Sequence, residues 1–237
     1  MNTARELWSA QPIVGFDTET TGVNAFEDRL VTASIVVASA EGVTKYYWLA
    51  DPEVEIPQQA TSVHGIATEQ AQREGAPIKK VLDEVAQLLC LHLEQNHVLV
   101  AFNAAFDLTL MESELARHNL PTIAERLGGE IGPVIDPFML DKTVDKYRSG
   151  KRNLETMAKH YGVWRSDEFH NAEADVLATL RVLGAILRRY PDVASADLSE
   201  LMRLQRETYL DMVHYFATHP RPEARAAASL SDWPVSK

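Results

Sequence analysis

Asp17 and Glu19 stand one residue apart in "PIVGFDTETTG" (residues 12–22), directly behind the apolar run from Ile13 to Phe16. Side chains at i and i+2 of a strand share a face, so the two carboxylates aim together. At about 4 Å such a pair repels by roughly 4 kcal/mol even at an effective dielectric of 20. It must take up a proton, recruit a cation, or turn out into solvent at the strand end. Two further acids stand in comparable contexts. Asp107 falls in the first turn of a helix in "VLVAFNAAFDLTLMESE", with Asn103 just behind a buried strand. Asp175 falls in a first helical turn in "EFHNAEADVLATLRVL", with His170 ahead of it. An acid in a first turn also serves the helix dipole with no chemistry at all, so each site taken singly stays open.

The elements that must position these acids read as one continuous α/β pattern. Residues 12–17 form a first strand, and the β-rich runs 30–40 and 43–50 form a hairpin across the short "AEG". Ile78, Val81, Leu82, Val85, Leu88, Leu89 and Leu93 recur at helical spacing behind Gly75 and Pro77. "HVLVAF" (97–102) is a buried strand followed by a helix over 106–118, and "PVID" (133–136) is a last short strand. Helices are predicted at 137–145, 153–161, 172–190 and 197–217. The final stretch, "THPRPEARAAASLSDWPVSK", reads as a tail or a loosely packed extension. No repeat at solenoid periods interrupts this pattern.

Composition narrows the function classes. The 237 residues are 46% hydrophobic, ample for one sizeable core, and no apolar run reaches bilayer length. "MNTARELWSA" lacks the basic start and apolar stretch of a secretory signal, so a cytoplasmic location is expected. Cys90 is the single cysteine, which excludes an internal disulfide and a cysteine-based zinc cluster. A net charge of -11 argues against coating nucleic acid by bulk attraction, but not against gripping a strand end locally.

Together the segments "FDTETTG", "FNAAFD" and "HNAEAD" resemble the three motifs of the DEDDh 3′–5′ exonucleases, the group that includes the proofreading epsilon subunit of bacterial DNA polymerase III, RNase T and oligoribonuclease. "TSVHGIATEQA" (61–71) and "GKRNLETMAKHYGV" (150–163) resemble further features of that group. The resemblance runs from about residue 11 to 190. It implies a ribonuclease H-like fold, a mixed five-stranded sheet flanked by helices, with residues 1–190 as the exonuclease domain; residues 191–237, outside the resemblance, read as a helical extension and tail of unknown role. The resemblance also implies that Asp17, Glu19, Asp107 and Asp175 surround two divalent cations, with Asp17 bridging them. All four are hard oxygen ligands, which suits Mg²⁺ or Mn²⁺. Two such ions can clamp an in-line displacement at phosphorus, one activating water and the other stabilising the leaving 3′ oxygen. His170 then falls at the position of the general base.

By the same resemblance, Thr18, Thr20 and Thr21 sit where the 3′-terminal nucleotide is held, His64 and Ile66 flank its sugar or base, and Asn103 and Phe106 lie beside the strand end. Core packing is the alternative reading of Ile66 and Phe106, and for Phe106 an equal one. "KTVDKYRSGKR" (142–152) carries five basic residues against one acid. Arg148, Lys151 and Arg152 are candidates for the upstream phosphates, against the alternative of a solvated charged face. The expected substrate is the 3′ end of a single-stranded nucleic acid, with DNA favoured over RNA and a DNA polymerase subunit as a candidate partner. No membrane association is expected. Two other classes compete: a haloacid-dehalogenase-like phosphatase, which would want an aspartate where Glu19 stands, and a non-catalytic polymerase-associated binding module.

Overall fold

The computed structural model describes residues 11–165, 172–219 and 231–236. Three strands come first, β1 (Ile13–Thr20), β2 (Leu30–Ser39) and β3 (Gly42–Asp51). They pair antiparallel in chain order, and Ser39 opposite Gly42 closes the expected hairpin. Two short helices, α1 (Gln58–His64) and α2 (Thr68–Glu74), precede the two-residue strand β4 (Ala76–Pro77) and the long helix α3 (Ile78–Glu94). Then come β5 (Val98–Val100), α4 (Ala104–Arg117), α5 (Ile123–Leu127), β6 (Val134–Ile135), α6 (Pro137–Val144), α7 (Leu154–His160) and α8 (Ala172–Arg189). The chain continues through α9 (Pro191–Ser195) and α10 (Leu198–Thr218).

The sheet order is β4-β3-β2-β1-β5-β6, with β5 parallel to β1 and β6 parallel to β5. The five expected strands are present. The sixth, β4, pairs parallel with β3 at the sheet edge, where Pro77 forfeits no ladder bond that the sheet needs. β1 is central, and strict alternation divides its side chains between two cores. Val14 and Phe16 face one core with Ala33 and Ile35 of β2, against Val81, Leu82, Val85 and Leu89 of α3 and Leu108 and Met111 of α4. Each of the larger side chains among these contributes about 1.5–3 kcal/mol. On the other face α8 lies over β1 and β2, and Leu183 and Ile186 pack with Val98, Val100, Ile135 and Met157.

The C-terminal part is more firmly seated than its composition suggests. Gln205 of α10 is fully buried; its amide donates to Val134 O, and its Oε1 accepts from Asp136 N. The side chain thereby does for the outer edge of β6 what a further strand would do. Tyr209 and Trp233 both belong to the main core.

Candidate active site

Three acids converge at the C-terminal end of β1. Asp17 and Glu19 point to the face covered by α8, and a register shift between Glu19 and Thr20 ends the regular β1–β2 ladder there. α8 can lie close because residue 15 is glycine: a Cβ at Gly15 would stand 2.3 Å from Val176 Cγ1 and 3.3 Å from Leu180 Cδ1. That close seating brings Asp175 to β1, so that carboxylate oxygens of Asp17, Glu19 and Asp175 all lie within 4.8 Å of one another. Asp107 approaches from α4. The Thr18 N–H and hydroxyl both donate to its Oδ1, at 3.1 and 2.6 Å.

The electrostatics match this crowding. Burial, and then the charges of Asp107, Glu19 and Asp175, hold the Asp17 carboxyl well above the usual carboxylate range. Burial and then Asp175 push Glu19 up to about 7. Burial raises Asp107 to about 7 against the lowering effect of the Thr18 hydrogen bonds. A cation relieves all of these at once. In hardness these carboxylate oxygens suit Mg²⁺ or Mn²⁺; Mg²⁺ with ligands at about 2.0–2.1 Å spans opposed oxygens about 4.2 Å apart, so oxygens lying within 4.8 Å of one another need at most a small inward shift.

Several contributing residues were not singled out from sequence. Asp136, 1% exposed, caps the start of α6 and also accepts from the N–H groups of Asn103 and Ala104. It thereby fixes the first turn of the helix that carries Asp107. Its carboxyl too is raised to about 7, by burial. Tyr47 of β3 lies in register with Ser34, which lies in register with Asp17, placing all three on one face. Burial and the Glu19 charge both raise its phenol.

The anticipated substrate contacts divide. The Thr20 hydroxyl donates to Gly22 O, and the Thr21 hydroxyl donates to Asp28 and accepts from Arg29 N, so both serve the turn after β1. Thr18 is committed to Asp107. Asn103, at φ +62°, precedes α4 in the left-handed region that asparagine tolerates. Phe106 packs partly against the main core, and Ile66 against the small cluster of Val31, Ile56 and Ala71. The buried His64 ends α1, where Gly65 at φ +80° turns the chain back. Its Nδ1 accepts from Ile66 N, and burial lowers its pKa, only partly offset by the Thr20 backbone. The neutral ring therefore carries its proton on Nε2. His170 lies outside the described residues.

The basic stretch has a structural use. Arg148 and Arg152 both donate to Asp141 Oδ2, at 2.8 and 2.7 Å, and Tyr161 donates to its Oδ1 at 2.7 Å. Two of the three cations proposed for phosphates are thus held on a fully buried aspartate, while Lys151 is exposed. Removing one member of such a pair leaves buried charge uncompensated. Asp141→Ala is expected to cost about 3–5 kcal/mol, read as the change in the urea unfolding midpoint at constant slope.

The sequence model of the family described as Exonuclease matches residues 14–183. The DNA polymerase III PolC-type of Streptococcus mutans is 33% identical over 177 residues, covering 74% of this chain and 11% of that protein. That of Streptococcus agalactiae is 32% identical over 193 residues, covering 81% of this chain and 12% of that protein. The chain thus spans about a tenth of these relatives' length. Escherichia coli Exonuclease I in complex with a dA16 oligonucleotide superposes with a TM-score of 0.62 at 16% identity, covering 77% of this chain and 42% of that one. Exonuclease I of Methylocaldum szegediense gives 0.64 at 17% identity, covering 86% and 45%. These structures share the fold. With a family match across most of the chain, and PolC-type relatives above 30% identity over about three quarters of it, the chain belongs to the DnaQ-like 3′–5′ exonuclease family.

Proposed function

We propose that the chain hydrolyses phosphodiester bonds from the 3′ end of single-stranded DNA and releases nucleoside 5′-monophosphates. The observation that carries this reading is the mutual approach of Asp17, Glu19 and Asp175 within 4.8 Å, with Asp107 held beside them by Thr18. Asp17, Glu19, Asp107 and Asp175 would hold two divalent cations, Mg²⁺ or Mn²⁺. When bound, these supply Lewis-acid stabilisation of charge at the phosphoryl group and its leaving oxygen.

The protein's own groups do the rest. Thr18 fixes Asp107 through two donors on one oxygen, so the carboxylate keeps its orientation without solvent. Asp136 fixes the α4 terminus from which Asp107 projects. His170 takes the proton from the attacking water, a role resting on the motif resemblance. His64, neutral and protonated on Nε2, offers a donor beside the Thr20 backbone. DNA is favoured as the substrate by the names of the relatives, a DNA polymerase and an exonuclease bound to a deoxyoligonucleotide. The same relatives make a polymerase subunit the partner to look for.

The test uses one sequence as single-stranded DNA and as RNA, labelled at either end, with Mn²⁺ or with a chelator. Shortening from the 3′ end to 5′-monophosphates is expected, faster on DNA and abolished by the chelator. Turnover that persists with the chelator, or release from the 5′ end, would overturn the reading.

A further inference from the structure

β2 presents two hydroxyls beside the acids that bond none of the described residues. Thr32 and Ser34 are the cross-strand partners of Glu19 and Asp17 in the β1–β2 register. Directly opposite residues of an antiparallel pair project from one face with Cβ atoms about 4.5–5.5 Å apart. Thr32 is 1% exposed and Ser34 0%. Neither hydroxyl has a hydrogen-bond partner among the described residues. A buried hydroxyl left unbonded costs stability and calls for a reason. The surrounding strand gives no packing reason: Leu30, Val31, Ala33, Ile35 and Val36 are all buried and apolar, and valine would suit position 32 as well.

The acids opposite supply the reason. Ligating carboxylates are normally hydrogen-bonded by a second layer of donors, which orients them and raises the affinity of the site. A carboxylate with one oxygen on a cation keeps the other free to accept. We propose that Thr32 and Ser34 are positioning residues for the cation site, where Thr32 would donate to Glu19 and Ser34 to Asp17 when these carboxylates hold a divalent cation. The inference rests on the metal-dependent reading above and extends it to two residues outside its motifs. It also accounts for two unbonded hydroxyls standing in register with the two acids of one motif. The cost of leaving them unpaired in the metal-free protein is returned as preorganisation when the ion enters.

The near-isosteric double variant Thr32→Val with Ser34→Ala tests this by calorimetric titration with Mn²⁺ and by thermal unfolding without metal. The expected result is Mn²⁺ affinity about 10- to 100-fold weaker, with a metal-free midpoint equal to or above that of the parent, because unbonded hydroxyls have been removed. Thr32→Ser, which keeps the donor, should retain the parent's affinity. Parent-like affinity in the double variant overturns the proposal. So does an affinity loss that merely follows a lowered metal-free midpoint. Asp17→Asn serves as the reference: if it binds Mn²⁺ as the parent does, the cation site itself is wrong and this inference falls with it.

Discussion

Asp17→Asn should be nearly inactive and, without metal, more stable than the parent. The two effects share one cause. Asp17 sits among Asp107, Glu19 and Asp175, and its charge is opposed by burial and by all three. Removing that charge relieves the metal-free fold by about 1–2 kcal/mol, which raises the unfolding midpoint by roughly 2–8 °C for a chain of this size. The same change removes a ligand from the cation site, whose charge stabilisation is worth several kcal/mol, so turnover should fall by at least about 10³-fold. The pH dependence has a definite sign. Glu19 and Asp107 titrate near 7 in the folded, metal-free protein and near 4 when unfolded. Their contribution is fully present below about pH 4 and is lost as pH rises through about 7. The metal-free parent should therefore melt at progressively lower temperature from pH 5 to pH 8, and Asp17→Asn should flatten that slope. Added Mn²⁺ at 100 times its dissociation constant should restore about 2.7 kcal/mol to the parent at pH 8 and far less to the variant. Scanning calorimetry at two pH values, with and without Mn²⁺, reads all of this. A variant less stable than the parent at pH 8 without metal would show that the acids are not in mutual opposition.

Some of this site was legible in the sequence, for physical reasons. Asp17, Glu19, Asp107 and Asp175 each stand at a strand end or in a first helical turn, positions fixed by local periodicity; in the structure the carboxylates of Asp17, Glu19 and Asp175 lie within 4.8 Å of one another, and Thr18 ties Asp107 to the same strand. The helix over 78–94 declared itself because Val81, Leu82, Val85 and Leu89 repeat at the period of the buried face. What escaped depends on register or on distant partners. Thr32, Ser34 and Tyr47 align with the acids only through pairing of β1 with β2, whose connection from Thr20 to Leu30 is too long to set register by turn geometry. Asp136 read as the end of a short strand, and its role comes from a backbone 32 and 33 residues earlier in the chain. Asp141 was the readable omission: two arginines and a tyrosine converge on it from within 20 residues. The final stretch misled by composition, since Trp233, among residues of tail-like character, is buried in the main core.

Gly15 gives the sharpest test of how the fold makes the site. In most strands alanine would be favoured over glycine, because glycine has more freedom to lose. Here an added Cβ would lie 2.3 Å from Val176 Cγ1. Val176 is 1% exposed, and a valine in a helix has one strongly preferred rotamer, so the helix must move by about an ångström to restore ordinary contact. Overpacking of this kind costs about 1–3 kcal/mol. The displaced element is α8, and Asp175 is the residue before Val176, so Asp175 moves with it away from Asp17 and Glu19. A misplacement near 1 Å is enough to cost about 10²-fold in rate. Gly15→Ala is thus expected to lose about two orders of magnitude in kcat with only moderate loss of stability. Val176→Ala removes the opposing methyl, and on the Gly15→Ala background it should restore kcat to within about tenfold of Val176→Ala alone, giving a coupling energy of about 1.4–2.7 kcal/mol, within the 0.5–3 kcal/mol found for touching residues. Additive effects in that cycle would mean that Gly15 acts on the strand alone, and that the close seating of α8 is not what brings the third acid to the site.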